Sequence, residues 1–461
     1  MPERPDTDVA IVGAGVVGCA IARELCRFDL RVTLLEAGPD VGAGTSKANT
    51  ALLHTGFDAK PGTLEARLVA RGYELLSEYA PRVGIPVERT GALLVAWTEE
   101  QAAEFPAILD AARANGSIVL RTVGPDELYS REPHLGPGAN GAIEVAREGL
   151  VCPFTTPLAY ATEAVLSGCD LRRSTPVESV SRAEGGGFTL TLPGGELSTR
   201  WLVNAAGLRS DEIDRMLGHD GFTVTPRRGE LIVFDKLARP LVRHIVLAVP
   251  TKITKGVLIA PTVFGNVMLG PTAEDVDRKD DTASSRSGLD YLMGEGGRIM
   301  PELLQHEVTA VYAGLRAATE HADYQVAMHT PEGYACVGGI RSTGLSASMA
   351  IAEHVREQLG EAGLRLEPKP GGPPEFRMPN IGEAGARAHQ RDDLIASDSE
   401  YGRIVCFCER VTSGEIRDAL AATVPAVDLD GLRRRTRAHM GRCQGFFCGA
   451  ELAARLDREA R

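Results

Sequence analysis

Nine cysteines are spread over 461 residues, and four of them crowd into two tight C-terminal pairs. These are Cys406-Phe407-Cys408 and Cys443-Gln444-Gly445-Phe446-Phe447-Cys448. Four thiolates so arranged can bind a soft metal. Structural zinc is one solution and a [2Fe-2S] cluster another, since each accepts four cysteine ligands. Zinc ribbons favour C-x2-C knuckles on both sides, whereas these pairs are C-x-C and C-x4-C. The other five cysteines (Cys19, Cys26, Cys152, Cys169 and Cys336) are scattered and read as reduced thiols. A second chemical signal lies near the N-terminus, at Gly13-Ala14-Gly15-Val16-Val17-Gly18. It follows the strand-like DVAIV, opens a helical stretch, and precedes a second strand, RVTLLEA, that carries Glu36. Gly13 suits a tight turn, Gly15 a close pyrophosphate and Gly18 a helix packed near a strand. The helix N-terminus offers free N–H groups to phosphate, and Glu36 is expected on the ribose hydroxyls. The pattern predicts a dinucleotide, NAD or FAD, and the carboxylate disfavours a 2′-phosphate.

The segment from Gly42 to Gly56 is rich in small and hydroxyl residues, so its backbone can lie against a flat ligand. With Thr45, Ser46 and Asn49 in a T-S-x-x-N stretch, it resembles the D-amino-acid oxidase and glycerol-3-phosphate dehydrogenase superfamily of flavoproteins. Two later segments support the resemblance. Trp201-Leu202-Val203-Asn204-Ala205-Ala206-Gly207 is similar to the family's strand-to-glycine motif. Val337-Gly338-Gly339-Ile340-Arg341-Ser342-Thr343-Gly344-Leu345 is similar to its C-terminal flavin motif. The resemblance covers about residues 5–360 and implies FAD, with Ala206, Gly207, Gly339, Ile340, Gly344 and Leu345 among its contacts.

The same resemblance implies a substrate site. It sets His54, of the H-x-G step, beside the isoalloxazine, where a neutral imidazole accepts the hydroxyl proton; the other reading is a histidine that only hydrogen-bonds flavin or backbone. Arg316, of an A-G-x-R stretch, is expected to bind the substrate's anionic end. Arg227 and Arg228 in PRRGE occupy a family position that lines the pocket, and Arg228 is taken into the catalytic set. Lys252 and Lys255 add positive charge or sit in a solvated loop, and Tyr324 is a weaker candidate.

The C-terminal cysteines and their R-A-H-M-G-R-C-Q-G-F-F-C context resemble the bacterioferritin-associated-ferredoxin-like [2Fe-2S] domain. That domain is found fused to the large subunit of anaerobic glycerol-3-phosphate dehydrogenase and to some opine and amine dehydrogenases. His439 stands where a small residue is expected. Arg433, Arg434, Arg435, Arg437 and Arg442 flank the site; they offset an anionic cluster or form a solvated basic helix face.

These residues need elements to hold them. The fold class expected is α/β, α+β overall: a Rossmann-like FAD domain, an inserted antiparallel-sheet substrate lobe, and a small helical iron–sulfur domain. The boundaries expected are 1–84, 145–219 and 316–363 for the FAD domain, and 85–144 with 220–315 for the lobe. Residues 364–400, rich in Pro and Gly, read as an extended linker, and 401–461 as the cluster domain. Within 171–200, alternating residues around glycine turns predict β-hairpins. Thr412 or Ser413 is expected to cap a helix.

Bulk properties set limits. A chain of this length holds about three domains. With 43% hydrophobic and 24% charged residues, it can bury a large core. A net charge of −12 argues against nucleic acid as the main partner. The start lacks a signal-peptide pattern, and the apolar runs fall short of the ~20 residues a membrane span needs. A cytoplasmic location is expected, with peripheral contact at the inner face of the membrane left open. The function expected is an FAD-dependent dehydrogenase acting on a small anionic hydroxy compound such as glycerol 3-phosphate. Electrons pass by FAD and the cluster to an external acceptor, by analogy partner subunits linked to quinone. The alternatives are an L-2-hydroxyglutarate-type, amine, amino-acid or opine dehydrogenase. From another class, the alternative is an electron-transfer or redox-sensing subunit without its own substrate.

Overall fold

The computed structural model describes residues 5–116, 120–250 and 256–459. Strand β1 (Thr7–Val12) turns through Gly13 into helix α1 (Val16–Leu25), and β2 (Val32–Leu35) returns beside it in parallel. A Cβ on Gly18 would sit 1.8 Å from Gly13 O, so only glycine lets the helix close onto this turn. On the other side of β1 lies the strand Gly195–Asn204, then Tyr334–Gly338, all parallel. With a hairpin extension from residues 179–192, they belong to an eight-stranded sheet. The hairpins read from glycine-punctuated alternation are therefore present.

A parallel sheet must be covered on both faces, and α1 accordingly buries nine of its ten residues. Helix α2 (Gly344–Glu361) packs beside it. Val9, Ile11, Cys19, Ile21, Val203 and Ile351 share one core.

The second sheet has nine strands. Its spine is the long antiparallel pair of β3 (Thr225–Phe234) and β4 (Val308–Ala318). One pair, Ala92–Ala96 with Ile245–Ala248, is parallel; the other pairings in this sheet are antiparallel. Strand β4 continues to Ala318 without a break, so the sheet carries Arg316 itself.

Residues 364–400 run along the first two units rather than floating between them. Met378 N donates to Val83 O and Glu383 N to Val263 O. The expected extended connector holds only up to its Pro/Gly-rich half. Beyond it the chain forms short helical turns at Ala388–Gln390 and Asp392–Ser397, where proline and glycine are absent.

The C-terminal unit is a short hairpin (Ile404–Cys406 with Val411–Thr412) and three helices around Val405, Ile416, Leu432 and Leu452. Thr412 caps the first helix, and Glu415 reaches back to Thr412 N in a capping box. The second, α3 (Leu429–Thr436), is capped by Asp428 and stops where Arg437 turns left-handed at φ 75°. It faces the nucleotide unit. Arg434 and Arg435 converge on Asp40, four residues past Glu36, at 2.6 and 2.7 Å, and all three side chains are buried. Lys47 bonds Asp430 at 2.9 Å across the same interface.

The basic cluster that the sequence assigned to the iron–sulfur site is thus spoken for. Arg433 pairs with Asp430, Arg437 with Glu409 and Arg442 with Asp235. Arg433 and Arg442 stay partly exposed, while Arg434, Arg435 and Arg437 are buried in ion pairs. Burial opposes ionisation of Asp40, but Arg435 and Arg434 hold its carboxyl below the usual carboxylate range.

Candidate functional site

A cavity of about 510 Å³ lies between the two large sheets. It is lined at one part by Gly15, Val16, Thr45, Ser46 and Asn49, and at another by Ile340, Gly344 and Leu345, with Gly207, His54, Glu148 and Arg316 also on its wall. Two long helices, α1 and α2, begin at Val16 and Gly344, and neither N-terminus is capped by its own N-cap side chain. Uncapped N–H groups and helix dipoles favour negative charge. Ser46 Oγ accepts from Val16 N at 2.9 Å, which brings the 45–49 loop onto the α1 terminus. Asn49 shapes that loop, donating to Ser46 O and accepting from Ala51 N, both at 2.8 Å.

The loop is pinned to the second sheet as well. Thr45 Oγ1 donates to Leu315 O and Tyr312 Oη to Asn49 O, each at 2.9 Å. A Cβ on Gly314 would lie 2.0 Å from Ala48 O, so glycine is what permits β4 to approach.

Other residues picked from sequence stand behind the wall. Gly13, Gly18, Ala206 and Gly339 are not on it. Nor is Glu36, whose carboxylate accepts from Ala14 N at 2.8 Å and Gly38 N at 2.7 Å and braces the glycine turn. Burial pushes its pKa up against those bonds.

His54 hangs from α2: its backbone N donates to Ser346 Oγ at 2.8 Å. The ring lies between two carboxylates. Nε2 is 3.0 Å from Asp58 Oδ1, and Nδ1 is 2.7 Å from Glu148 Oε1. Burial pushes the imidazole pKa down, but Glu148 and Asp58 outweigh it and push the value up to about 10. The two carboxylates thus favour the charged form of the ring, whereas the sequence reading has it act as a neutral imidazole.

Strand register sorts the arginines. Arg227 faces Arg316 across β3 and β4, while Arg228 faces Leu315. Successive residues of a strand point to opposite faces, so Arg227 and Arg316 line the cavity and Arg228 does not. Arg228 is buried and engaged with Glu274 at 2.5 Å, Ala283 O at 3.1 Å and Asp281 at 3.4 Å. Arg227 is bidentate to Asp275, at 2.6 and 3.0 Å.

Arg316 differs from both. Its bonds are to Thr272 O, at 3.3 and 3.4 Å, and among the described residues it has no carboxylate partner. Burial and then the charge of Arg227 push its pKa down to about 10. Tyr324 sits behind the wall with its hydroxyl on Thr343 Oγ1 at 2.5 Å. Lys252 and Lys255 lie outside the described residues.

The four C-terminal cysteines come together as two mixed pairs. Cys406 contacts Cys448, and Cys408 contacts Cys443. Backbone N–H groups of Phe447, Gly445 and Phe446 point at Cys443 and pull its pKa down. Among the described residues no three His, Cys, Asp or Glu side chains gather as one metal ion requires. Two pairs of thiols suit a two-iron cluster, which takes two cysteines per iron. His439 sits at φ 71°, with its ring where a Cβ of Gly445 would fall. Phe407, Phe446 and Phe447 stand exposed beside the cysteines, at 61%, 95% and 66%.

The fold and these sites define a flavin-linked redox enzyme with a second redox unit. The chain belongs to the FAD dependent oxidoreductase family, whose profile matches residues 8–358, and it ends in a BFD-like [2Fe-2S] binding domain matched over 404–458. Its cofactors are FAD and a [2Fe-2S] cluster.

It is 34% identical to a glycerol 3-phosphate dehydrogenase of Caloramator mitchellensis, over 98% of this chain and 94% of that one. It is 26% identical to an anaerobic glycerol-3-phosphate dehydrogenase subunit of Escherichia coli K12, over 98% and 88%. The L-alpha-glycerophosphate oxidase of Mycoplasma pneumoniae with FAD bound superposes with a TM-score of 0.77, at 26% identity, covering 81% of this chain and 99% of that one.

The cavity fits FAD on its own terms: glycine-lined, with two helix N-termini that their own N-cap side chains leave open, for a pyrophosphate and for a ring that turns anionic on reduction. Among the described residues no helix is long and apolar enough to cross a membrane.

Two features of the site escaped the sequence. Glu148 lies 94 positions from His54, and only the turn between two apolar strand runs, GAIEV and GLV, hints at it. The preference for Arg227 over Arg228 required the register of β3.

Proposed function

We propose that this enzyme oxidises the secondary hydroxyl of glycerol 3-phosphate, with the phosphate held by Arg316 and the hydroxyl set against His54. The observation that carries the reading is Arg316, a half-buried guanidinium that opens into the cavity without a carboxylate partner among the described residues. A guanidinium fork matches phosphate geometry, and an anion there relieves the repulsion from Arg227. The other arginines on the wall are already paired, Arg227 with Asp275 at 2.6 Å and Arg341 with Glu65 at 2.9 Å. One free cationic position among the described residues suits one anionic group better than the two carboxylates of hydroxyglutarate.

FAD, when bound, supplies the two-electron acceptor for hydride, and the [2Fe-2S] cluster, on Cys406, Cys408, Cys443 and Cys448, a one-electron outlet. Arg316 and Arg227 fix the phosphate end. The C–H bond breaks with its electron pair, the hydroxyl proton passes to the His54–Asp58 pair, and the carbinol becomes a ketone. Entry of the hydroxyl displaces Asp58, which takes the Nε2 proton with it, and the neutral Nε2 then accepts the hydroxyl proton. The exposed phenylalanines beside the cysteines fit a docking face for an external acceptor protein, since aromatic residues dominate such contacts.

Anaerobic titration tests the substrate. Glycerol 3-phosphate should bleach the flavin; glycerol, 2-hydroxyglutarate and amino acids should not. Bleaching by one of these others but not by glycerol 3-phosphate would overturn the reading. Cys408→Ser tests the outlet. With two electrons on flavin and one on the cluster, full reduction takes about 1.5 equivalents of substrate in the intact enzyme and about 1 in the variant. An unchanged stoichiometry would remove Cys408 from the ligand set.

A further inference from the structure

His54 has two carboxylate neighbours, and they are not equivalent. Asp58 stands on the same loop and lines the cavity, so an entering hydroxyl meets it. Glu148 comes from the turn between the strands Gly141–Val145 and Gly149–Val151, and its side chain is fully buried. One of its oxygens, Oε2, accepts from Thr55 N at 3.0 Å and from Thr55 Oγ1 at 2.9 Å. Its other oxygen, Oε1, lies 2.7 Å from Nδ1 but off the line of the ring N–H.

Gly56 N also points at Nδ1, from 3.4 Å. That is longer than a normal N–H hydrogen bond, whereas the carboxylate charge stands 2.7 Å from the same nitrogen. The carboxylate therefore decides the state of Nδ1. A buried carboxylate left without a cation is strongly destabilising, and His54 is the cationic side chain that touches this one.

We propose that Glu148 is the positioning residue of the proton-transfer step: it keeps a proton on Nδ1 of His54 and so reserves Nε2 for the proton of the substrate hydroxyl. This rests on the reading of His54 as the proton acceptor. The charged groups facing the ring are Glu148 from the strand turn and Asp58 from its own loop, while Arg316, Arg227, Glu65 and Arg341 line the same cavity. Phe57 packs its ring edge-on against the imidazole, 5.6 Å between centroids, and fixes its tilt. The two carboxylates pull in the same direction on the imidazole pKa, raising it. Taking Glu148 away lowers it, so the neutral form appears at lower pH but with Nδ1–H no longer enforced.

The test uses FAD-loaded enzyme under anaerobic conditions. Glu148→Gln keeps the shape and still accepts from Thr55. The pH at half-rise of the flavin-bleaching rate with glycerol 3-phosphate should move down by at least about one unit, and the plateau rate should fall about a hundredfold, the scale of general base catalysis, with little change in KM. Nitrogen NMR of the holoenzyme should show Nδ1–H fixed in the parent and mixed tautomers in the variant. Glu148→Asp should restore part of the plateau; if neither variant folds, Thr55→Val, which removes one of the two donors that orient Glu148, should lower the plateau by less and loosen the tautomer.

An unchanged half-rise and a fixed tautomer in Glu148→Gln would overturn the proposal. His54→Asn separates the two readings. If that variant bleaches as fast as the parent, His54 is not the acceptor, whatever Glu148 does to its tautomer. If it is slow but Glu148→Gln behaves as the parent, the role of Glu148 alone is lost.

Discussion

The substrate cavity and the interface beneath α3 both bury arginine, and they treat it in opposite ways. At the interface, Arg434 and Arg435 meet Asp40 at 2.6 and 2.7 Å, with every side chain nearly sealed from water. In the cavity, Arg316 meets a backbone carbonyl at 3.3 Å and a neighbouring arginine. Desolvating a guanidinium is expensive unless an anion repays it. Where the anion is a residue, the arginine cements two units; where it is missing, the site waits for a ligand to bring it.

That contrast can be broken experimentally. Asp40→Ala leaves Arg435 buried without a carboxylate and Arg434 with Asp430 alone, a loss of about 3–5 kcal/mol. The C-terminal unit should detach at lower denaturant than the rest and expose residues 364–400 to protease; a single unshifted transition would mean that Asp40 is not the cement. Arg316→Ala should raise KM for glycerol 3-phosphate by about 10–100-fold, the worth of a charge-assisted bond, with the folding midpoint little changed. Arg228→Ala sharpens the distinction within one dipeptide. Its guanidinium already pairs with Glu274 and Asp281, both partly exposed, so KM should hold and stability should fall by about 1 kcal/mol or less. A KM effect as large as that of Arg316→Ala would show that register had assigned the wrong arginine to the cavity.

Legibility in the sequence followed the distance over which information had to travel. The turn at Gly13–Gly18, the helix cap at Thr412 and the hairpins near Gly194 are local, and residue types alone describe them. The C-x-C and C-x4-C spacings are local too. The pairing of Cys406 with Cys448 and Cys408 with Cys443 is not, because it depends on how two loops meet. Arg227 and Arg228 show the limit most plainly. Both fit the same motif, and a shift of one residue exchanges the faces of a strand, so only the pairing of β3 with β4 separates them. The arginines of 433–442 mislead for a similar reason: their carboxylate partners include Asp40 and Asp235, far away in the chain. Glu148 was invisible because its meaning lies in His54.

Strand β4 touches each of these regions. At Thr309 its carbonyl accepts from Gln444, the residue after Cys443, at 2.7 Å. At Gly314 it presses on Ala48, and at Arg316 it enters the cavity. Five strand residues at about 3.4 Å each set the cluster loop about 17 Å from the flavin loop along a single rigid element. The strand is continuous from Val308 to Ala318, with one irregularity in its pairing at Thr309. A spacing held by one strand would spare electron traffic between the two loops the microsecond-to-millisecond wait for a domain to swing.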